Sequence, residues 1–86
     1  MYRQLFLITT EGCQGCDIMK DILDKNFSDI EVNIEDFKTC SSWVKEEINI
    51  SDFPTLIFVK EKRIVYYTVG TKSAKRIKYI MKKIGF

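Results

Sequence analysis

The stretch Thr9–Cys16 constrains the fold more than any other part of the chain, because it places Cys13 and Cys16 between an apolar run and a helical pattern. The preceding run, Leu5–Ile8, is typical of a strand, and the apolar residues that follow repeat with a helical period. The unpaired N–H groups and the dipole at the start of a helix stabilise an anion. For a cysteine that anion is the thiolate, which is the nucleophilic form. The sequence therefore predicts a nucleophilic cysteine pair where a strand leads into a helix.

The apolar patterns predict seven elements in the order β-α-β-α-β-β-α, an α/β architecture. The predicted strands are Arg3–Thr9, Ile30–Glu35, Thr55–Val59 and Arg63–Val69. The predicted helices run from just after Cys13 to about Asn26, from about Ser42 to Glu47 and from about Ser73 to Ile84. The stripe expected to be buried on the first helix is Ile18, Met19, Ile22 and Leu23. The corresponding stripe on the last helix is Ile77, Ile80, Met81 and Ile84.

Length and composition limit the class of protein. A chain of 86 residues predicts one domain, residues 1–86, which is too small to enclose a large cavity. We find no pattern of a signal peptide or a membrane span, so we expect a cytoplasmic protein with no membrane partner. The chain has three cysteines, an odd number that argues against a disulfide framework.

Charge is distributed unevenly along the chain. Residues 1–59 contain five basic and eleven acidic side chains, whereas residues 60–86 contain nine basic side chains and one acidic one. Such polarity is able to steer an acidic partner. It is also typical of an ordinary solvated helix face, so we expect no nucleic-acid partner and a monomeric protein.

Three features together resemble the thioredoxin/glutaredoxin family. They are Cys13-x-x-Cys16 after the first strand, Phe53-Pro54-Thr55 at the start of the third, and Val69-Gly70 closing the fourth. The resemblance spans nearly the whole chain. It implies a thioredoxin-like fold, with a four-stranded mixed sheet flanked by three helices and a cis peptide bond before Pro54.

The resemblance also implies a thiol-disulfide oxidoreductase that reduces protein disulfides. Cys13 would attack a substrate disulfide, and Cys16 would then release the reduced substrate. The redox-active group would be the Cys13–Cys16 disulfide, with no other cofactor. The residues expected to contact substrate are Gly12, Gln14, Gly15, Phe53, Pro54 and Gly70. Family-typical partners are ribonucleotide reductase as client, and a thioredoxin-type reductase or glutathione as electron donor.

The chain also departs from the family pattern. The buried carboxylate of thioredoxins is replaced by Leu7, and the lysine that often faces it by Glu31. The chain has no histidine, so proton transfer from Cys16 would use water or a nearby acid such as Glu11. The aspartate that helps glutaredoxins to hold glutathione is missing after Gly70, although Lys20 or Lys72 would be able to meet a glutathione carboxylate.

Other interpretations of the cysteines and of the basic region stay open. The cysteine pair has the spacing of a zinc site, but only Cys40 is left to join it, and zinc usually takes four ligands. Cys40 itself is either a small, partly buried residue or a regulatory or dimer-forming thiol. The chain as a whole is alternatively a glutathione-dependent glutaredoxin. A further alternative is a non-enzymatic module of the same fold that uses its basic C-terminal third to dock on a partner or on nucleic acid.

Overall fold

Seven elements form in the predicted order, in a computed structural model that describes residues 2–86. The strands are β1 (Arg3–Thr9), β2 (Glu31–Asp36), β3 (Thr55–Lys60) and β4 (Arg63–Val69). The helices are α1 (Gln14–Asn26), α2 (Ser42–Glu47) and α3 (Ala74–Ile84). The strands make one mixed sheet in the order β2-β1-β3-β4, in which β1 is parallel to β2 and antiparallel to β3, and β3 is antiparallel to β4.

The central strands β1 and β3 are apolar because the sheet is covered on both faces. Residues 5–9 of β1 and 55–59 of β3 are all buried. On one face, α1 and α3 close a cluster that includes Leu7, Met19, Leu23, Phe58 and Ile77. On the other face, α2 closes a smaller cluster that includes Phe6, Ile8, Val44, Ile57 and Val59. The end of β1 and the cysteine-bearing start of α1 therefore rest on a packed core.

The buried stripe of α1 differs from the prediction at one residue. Cys16, Met19 and Leu23 are buried at spacings of three and four, which is the period of a helix. Ile18 is 51% exposed, so its assignment to the stripe is wrong. Its position is one residue, about 100° of helical rotation, away from Met19, and this places it outside the stripe.

Strand β2 lies one residue later in the chain than predicted. The N–H of Ile30 donates to the carbonyl of Phe27 at 3.1 Å, which makes Ile30 part of the turn after α1. Pairing with β1 begins at Glu31 and continues to Asp36. Strand β3 likewise extends one residue further, to Lys60, which pairs with Arg63.

Two residues, Glu61 and Lys62, connect β3 to β4. Both have positive φ angles, 53° and 66°, as the twist of a tight two-residue hairpin requires. Within residues 2–86, no helix is long and apolar enough to cross a membrane.

Candidate functional site

The two cysteines lie at the start of α1, where the chain leaves β1. Gly12 has a φ of 74°, a left-handed conformation that suits glycine and turns the chain into the helix. Cys13 then occupies the N-cap position with extended backbone angles. Its Sγ accepts a hydrogen bond from the N–H of Cys16 at 3.0 Å. A sulfur in this position is held against the donor groups of the helix start, which stabilise negative charge on it.

The two sulfurs are joined, and they differ in their access to solvent. Cys13 and Cys16 form a disulfide, with their Cα atoms 5.3 Å apart. Cys13 is partly exposed, whereas Cys16 is 2% exposed and belongs to the buried side of α1. An external reactant therefore reaches Cys13 first.

The loop before β3 closes against the helix start. The Phe53–Pro54 peptide bond is cis, and Pro54 is buried. A Cβ atom added to Gly15 would lie 3.3 Å from Cδ of Pro54 and 2.6 Å from Oγ1 of Thr71. The absence of a side chain at Gly15 is therefore what lets Pro54 and Thr71 approach the cysteine pair.

Gly70 joins the end of β4 to the same loop. Its N–H donates to the carbonyl of Pro54 at 2.8 Å, and its φ is 93°. Neither the N–H nor the carbonyl of Phe53 has a hydrogen-bond partner within residues 2–86. The Phe53 ring packs edge-on against Phe37, with centroids 5.4 Å apart. A short piece of unpaired backbone is therefore fixed next to the disulfide.

The structure brings most of the predicted site residues together around the helix start. Cys13, Cys16 and Gly15 contact one another or the loop that carries Pro54, and Gly70 is bonded to that loop. Gly12 and Gln14 are exposed on either side of Cys13. Their roles toward a substrate stay predictions.

The contacts of two residues in this region were not predicted from the sequence. Thr71 contributes the contact to Gly15, and Met19 accepts a hydrogen bond at Sδ from the N–H of Lys72, at 3.3 Å. Both contacts join the segment after β4 to α1. Only the small size of Gly15 hints at such a contact in the sequence, and it does not identify the partner.

The acidic side chains near the site are exposed. Glu11 is exposed beside the turn, and Asp17 forms a loose pair with Lys20 at 3.9 Å, a surface contact that contributes little. The ammonium of Lys72 donates to the carbonyl of Val69 at 2.5 Å. The β1 position where thioredoxins carry a buried carboxylate is occupied here by Leu7, which is completely buried in the core.

Cys40 lies apart from the pair, in the cluster under α2. It is 8% exposed, and its Sγ donates a weak hydrogen bond to the carbonyl of Phe37 at 3.5 Å. Within residues 2–86, no group of three or more histidine, cysteine, aspartate or glutamate side chains is arranged to hold a metal ion.

Solved structures share this architecture. Thioredoxin-2, a component of the protein secretion machinery of a malaria parasite, superposes with a TM-score of 0.78 at 19% identity, covering 95% of this chain and 82% of that one. A malarial protein superposes with a TM-score of 0.74 at 17% identity, covering 96% and 97% of the two chains. Thioredoxin f2 of Chlamydomonas reinhardtii gives a TM-score of 0.74 at 19% identity, covering 94% and 78%.

No family model matches the sequence, and no curated protein matches it. At identities below 20%, the structural likeness is one of fold. The chain has the thioredoxin fold, and the predicted fold class is confirmed.

Proposed function

We propose that this protein is a thiol-disulfide oxidoreductase that reduces protein disulfides through Cys13 and Cys16. One observation carries the proposal: an accessible cysteine caps a helix and is joined to a buried cysteine one turn along it. The thioredoxin fold of the chain supports the same activity, because the solved neighbours include thioredoxins.

The reaction proceeds in two exchanges. The Cys13 thiolate attacks one sulfur of a substrate disulfide, forms a mixed disulfide with it, and releases the other substrate sulfur as a thiolate. Cys16, after losing its proton, attacks Sγ of Cys13 and expels the second substrate sulfur. Two electrons pass to the substrate, and the Cys13–Cys16 disulfide remains. The N–H of Cys16 favours the first step because it donates to Sγ of Cys13.

The substrate segment would bind in an extended form beside the loop of Pro54. The backbone N–H and carbonyl of Phe53 are free to pair with such a segment. Pro54 has no N–H of its own and is buried against the helix start, so the pairing with substrate is left to the backbone of Phe53. Gly12, Gln14 and Gly70 complete the rim of this binding site.

The proton of Cys16 must leave without help from a histidine or a buried acid. Leu7 is fully buried where thioredoxins carry a carboxylate, and Glu11 is exposed. The proton acceptor is then water or Glu11. The rate of the second exchange, the attack of Cys16 on Cys13, therefore depends more on the pH of the solution than it would with an internal base.

The catalytic cycle needs an electron donor to reduce the Cys13–Cys16 disulfide. We propose a thioredoxin-type reductase ahead of glutathione, because the glutaredoxin aspartate is missing after Gly70. Of the two candidate lysines, Lys72 already donates to the carbonyl of Val69. Ribonucleotide reductase is the family-typical client, and the reducing cytoplasm is the compartment in which a dithiol of this kind acts.

Single-cysteine variants test the mechanism. Cys16→Ser is expected to stop the reaction after the first exchange and to accumulate a mixed disulfide with a disulfide-bonded test peptide, visible by mass spectrometry without reductant. Cys13→Ser is expected to abolish exchange, and Cys40→Ser to leave it unchanged. Full activity of Cys13→Ser would contradict the assignment of Cys13 as the nucleophile.

A further inference from the structure

A groove between α3 and the edge strand β4 carries two exposed tyrosines. Tyr66 of β4 is 43% exposed and Tyr79 of α3 is 51% exposed. They line the groove together with Arg76 and Lys83. Tyr66 is held from behind by Phe58, whose ring centroid lies 6.0 Å away. The groove therefore combines fixed aromatic surface with positive charge, and it lies outside the disulfide site.

The cations of α3 flank Tyr79 on both sides. Lys75 and Arg76 belong to its first turn, and Lys82 and Lys83 to its last. All four side chains are exposed. Arg76 and Lys83 are seven residues apart, which corresponds to about 10.5 Å along the helix, with Tyr79 between them. The guanidinium of Arg76 lies 5.3 Å from the centroid of the Tyr79 ring. The helix thus presents cation, ring and cation in a row.

These cations have no carboxylate partner in the part of the chain that the structure describes. Residues 62–86 contain no acidic residue, and the two ion pairs within residues 2–86, Lys20–Asp17 and Lys25–Asp21, both lie on α1. The positions of Lys75 and Arg76 are also locally unfavourable, because the first turn of a helix is the positive end of its dipole. An external anion bound here would supply the missing negative partner and would also interact favourably with the positive end of the helix dipole.

We propose that this groove binds single-stranded nucleic acid. The phosphates of a strand laid along α3 would meet the cation pairs at each end, and a base would stack on Tyr79 or Tyr66 in between. Exposed aromatic rings alternating with cations suit a polymer that alternates planar bases with charged phosphates. From the charge totals alone we expected no nucleic-acid partner; the arrangement of the side chains argues for one. The proposal is independent of the redox activity.

The contacts between the α3 cations and the phosphates can be tested by fluorescence anisotropy. The probe is a fluorescein-labelled oligothymidylate of about 12 nucleotides. Binding is expected to weaken with salt, and each phosphate contact on a single strand contributes about 0.7 to the slope of log K against log salt. The double variant Arg76→Gln/Lys83→Gln should make the slope shallower by about 1.4. The matched control Lys38→Gln/Lys45→Gln removes the same charge outside the groove and should leave the slope unchanged.

Two substitutions of Tyr79 test the proposed stacking of a base on its ring. Tyr79→Ala should weaken binding about 5- to 100-fold, whereas Tyr79→Phe, which keeps the ring, should bind like the wild type. Absence of binding at low salt would overturn the proposal, and so would equal losses in the groove and control double variants. If Tyr79→Ala bound normally and a polyglutamate peptide competed as well as unlabelled oligonucleotide, the groove would instead be a site for acidic polypeptides, and the nucleic-acid proposal would be wrong.

Discussion

Gly15 lies between the two cysteines, in a place with no room for a side chain. Its replacement by alanine would press a methyl group against Oγ1 of Thr71 and Cδ of Pro54. We expect Gly15→Ala to lower the free energy of unfolding by about 1–3 kcal/mol, the usual cost of overpacking, and to slow disulfide exchange by displacing the Pro54 loop. Urea unfolding of the oxidised protein measures the first effect.

The neighbouring residue provides the control for this prediction. Gln14 is exposed at the first position of α1, so Gln14→Ala should change the unfolding free energy by less than about 0.5 kcal/mol. An unchanged stability and rate in Gly15→Ala would show that Thr71 and Pro54 are not held against the helix start.

The carboxyl group of Glu31 has a pKa that its hydrogen-bond partners shift. Its carboxylate accepts hydrogen bonds from Tyr2 at 2.5 Å, Gln4 at 2.5 Å and Asn33 at 3.1 Å. These bonds, that of Tyr2 first, lower the pKa of Glu31 from its usual value. Because the folded pKa is the lower one, the stabilisation is present above the unfolded pKa and is lost as the pH falls through the folded pKa.

Tyr2→Phe removes the largest of these contributions. We expect the pKa of Glu31, followed by NMR titration of its side chain, to move up toward its ordinary value in the variant. The stability difference between the two proteins should be present at neutral pH and vanish in acid. Identical Glu31 titration curves would mean that the Tyr2 bond does not form in solution.

At the residue scale, the sequence picked out candidate site residues more readily than it predicted their contacts. Cys13, Cys16 and Pro54 could be picked out because together they form the pattern that resembles the thioredoxin/glutaredoxin family. Thr71 could not, since a threonine after a glycine has no distinctive pattern, and its importance arises only when β4 returns beside α1. Ile18 was misplaced because neighbouring apolar residues on a helix leave the edge of the buried stripe ambiguous.

At the scale of the element, the two helix starts after α1 differ in how they are capped. Oγ of Ser73 accepts a hydrogen bond from the N–H of Arg76 at 3.1 Å, whereas Ser41, at the start of α2, makes no side-chain cap bond. Ser73→Ala should therefore destabilise the protein by about 1 kcal/mol in thermal or urea unfolding. Ser41→Ala should have an effect below about 0.5 kcal/mol, and equal effects of the two changes would contradict this account.

Element boundaries were predictable where a chemical signal marks them. Ser73 precedes α3 as a helix-capping residue, and Gly85 ends the helix in a left-handed conformation with a φ of 72°. The start of β2 was misplaced by one residue, because Ile30 is apolar like a strand residue but is bonded to Phe27 in the preceding turn. Hydrophobicity alone does not distinguish an isoleucine buried in a turn from one buried in a strand.

At the scale of the whole molecule, the fold follows from the order of its elements. A strand-helix-strand unit fixes β1 parallel to β2, and a two-residue hairpin fixes β3 against β4. The remaining pairing, β1 with β3, joins two strands that are buried on both faces and therefore belong at the centre. The placement of α3 beside β4, and with it the groove of Tyr66 and Tyr79, required the structure.

The central claim is that Cys13 and Cys16 exchange reversibly between dithiol and disulfide. We would equilibrate the protein against defined dithiothreitol and glutathione redox buffers and quantify the Cys13–Cys16 disulfide by mass spectrometry, with Cys40→Ser as control. We expect a reversible two-electron midpoint: a value of about −270 mV would indicate a reductant supplied by a reductase, and a value of about −200 mV would indicate the glutathione pool as the donor. A cysteine pair with no reversible disulfide in any buffer would contradict the claim.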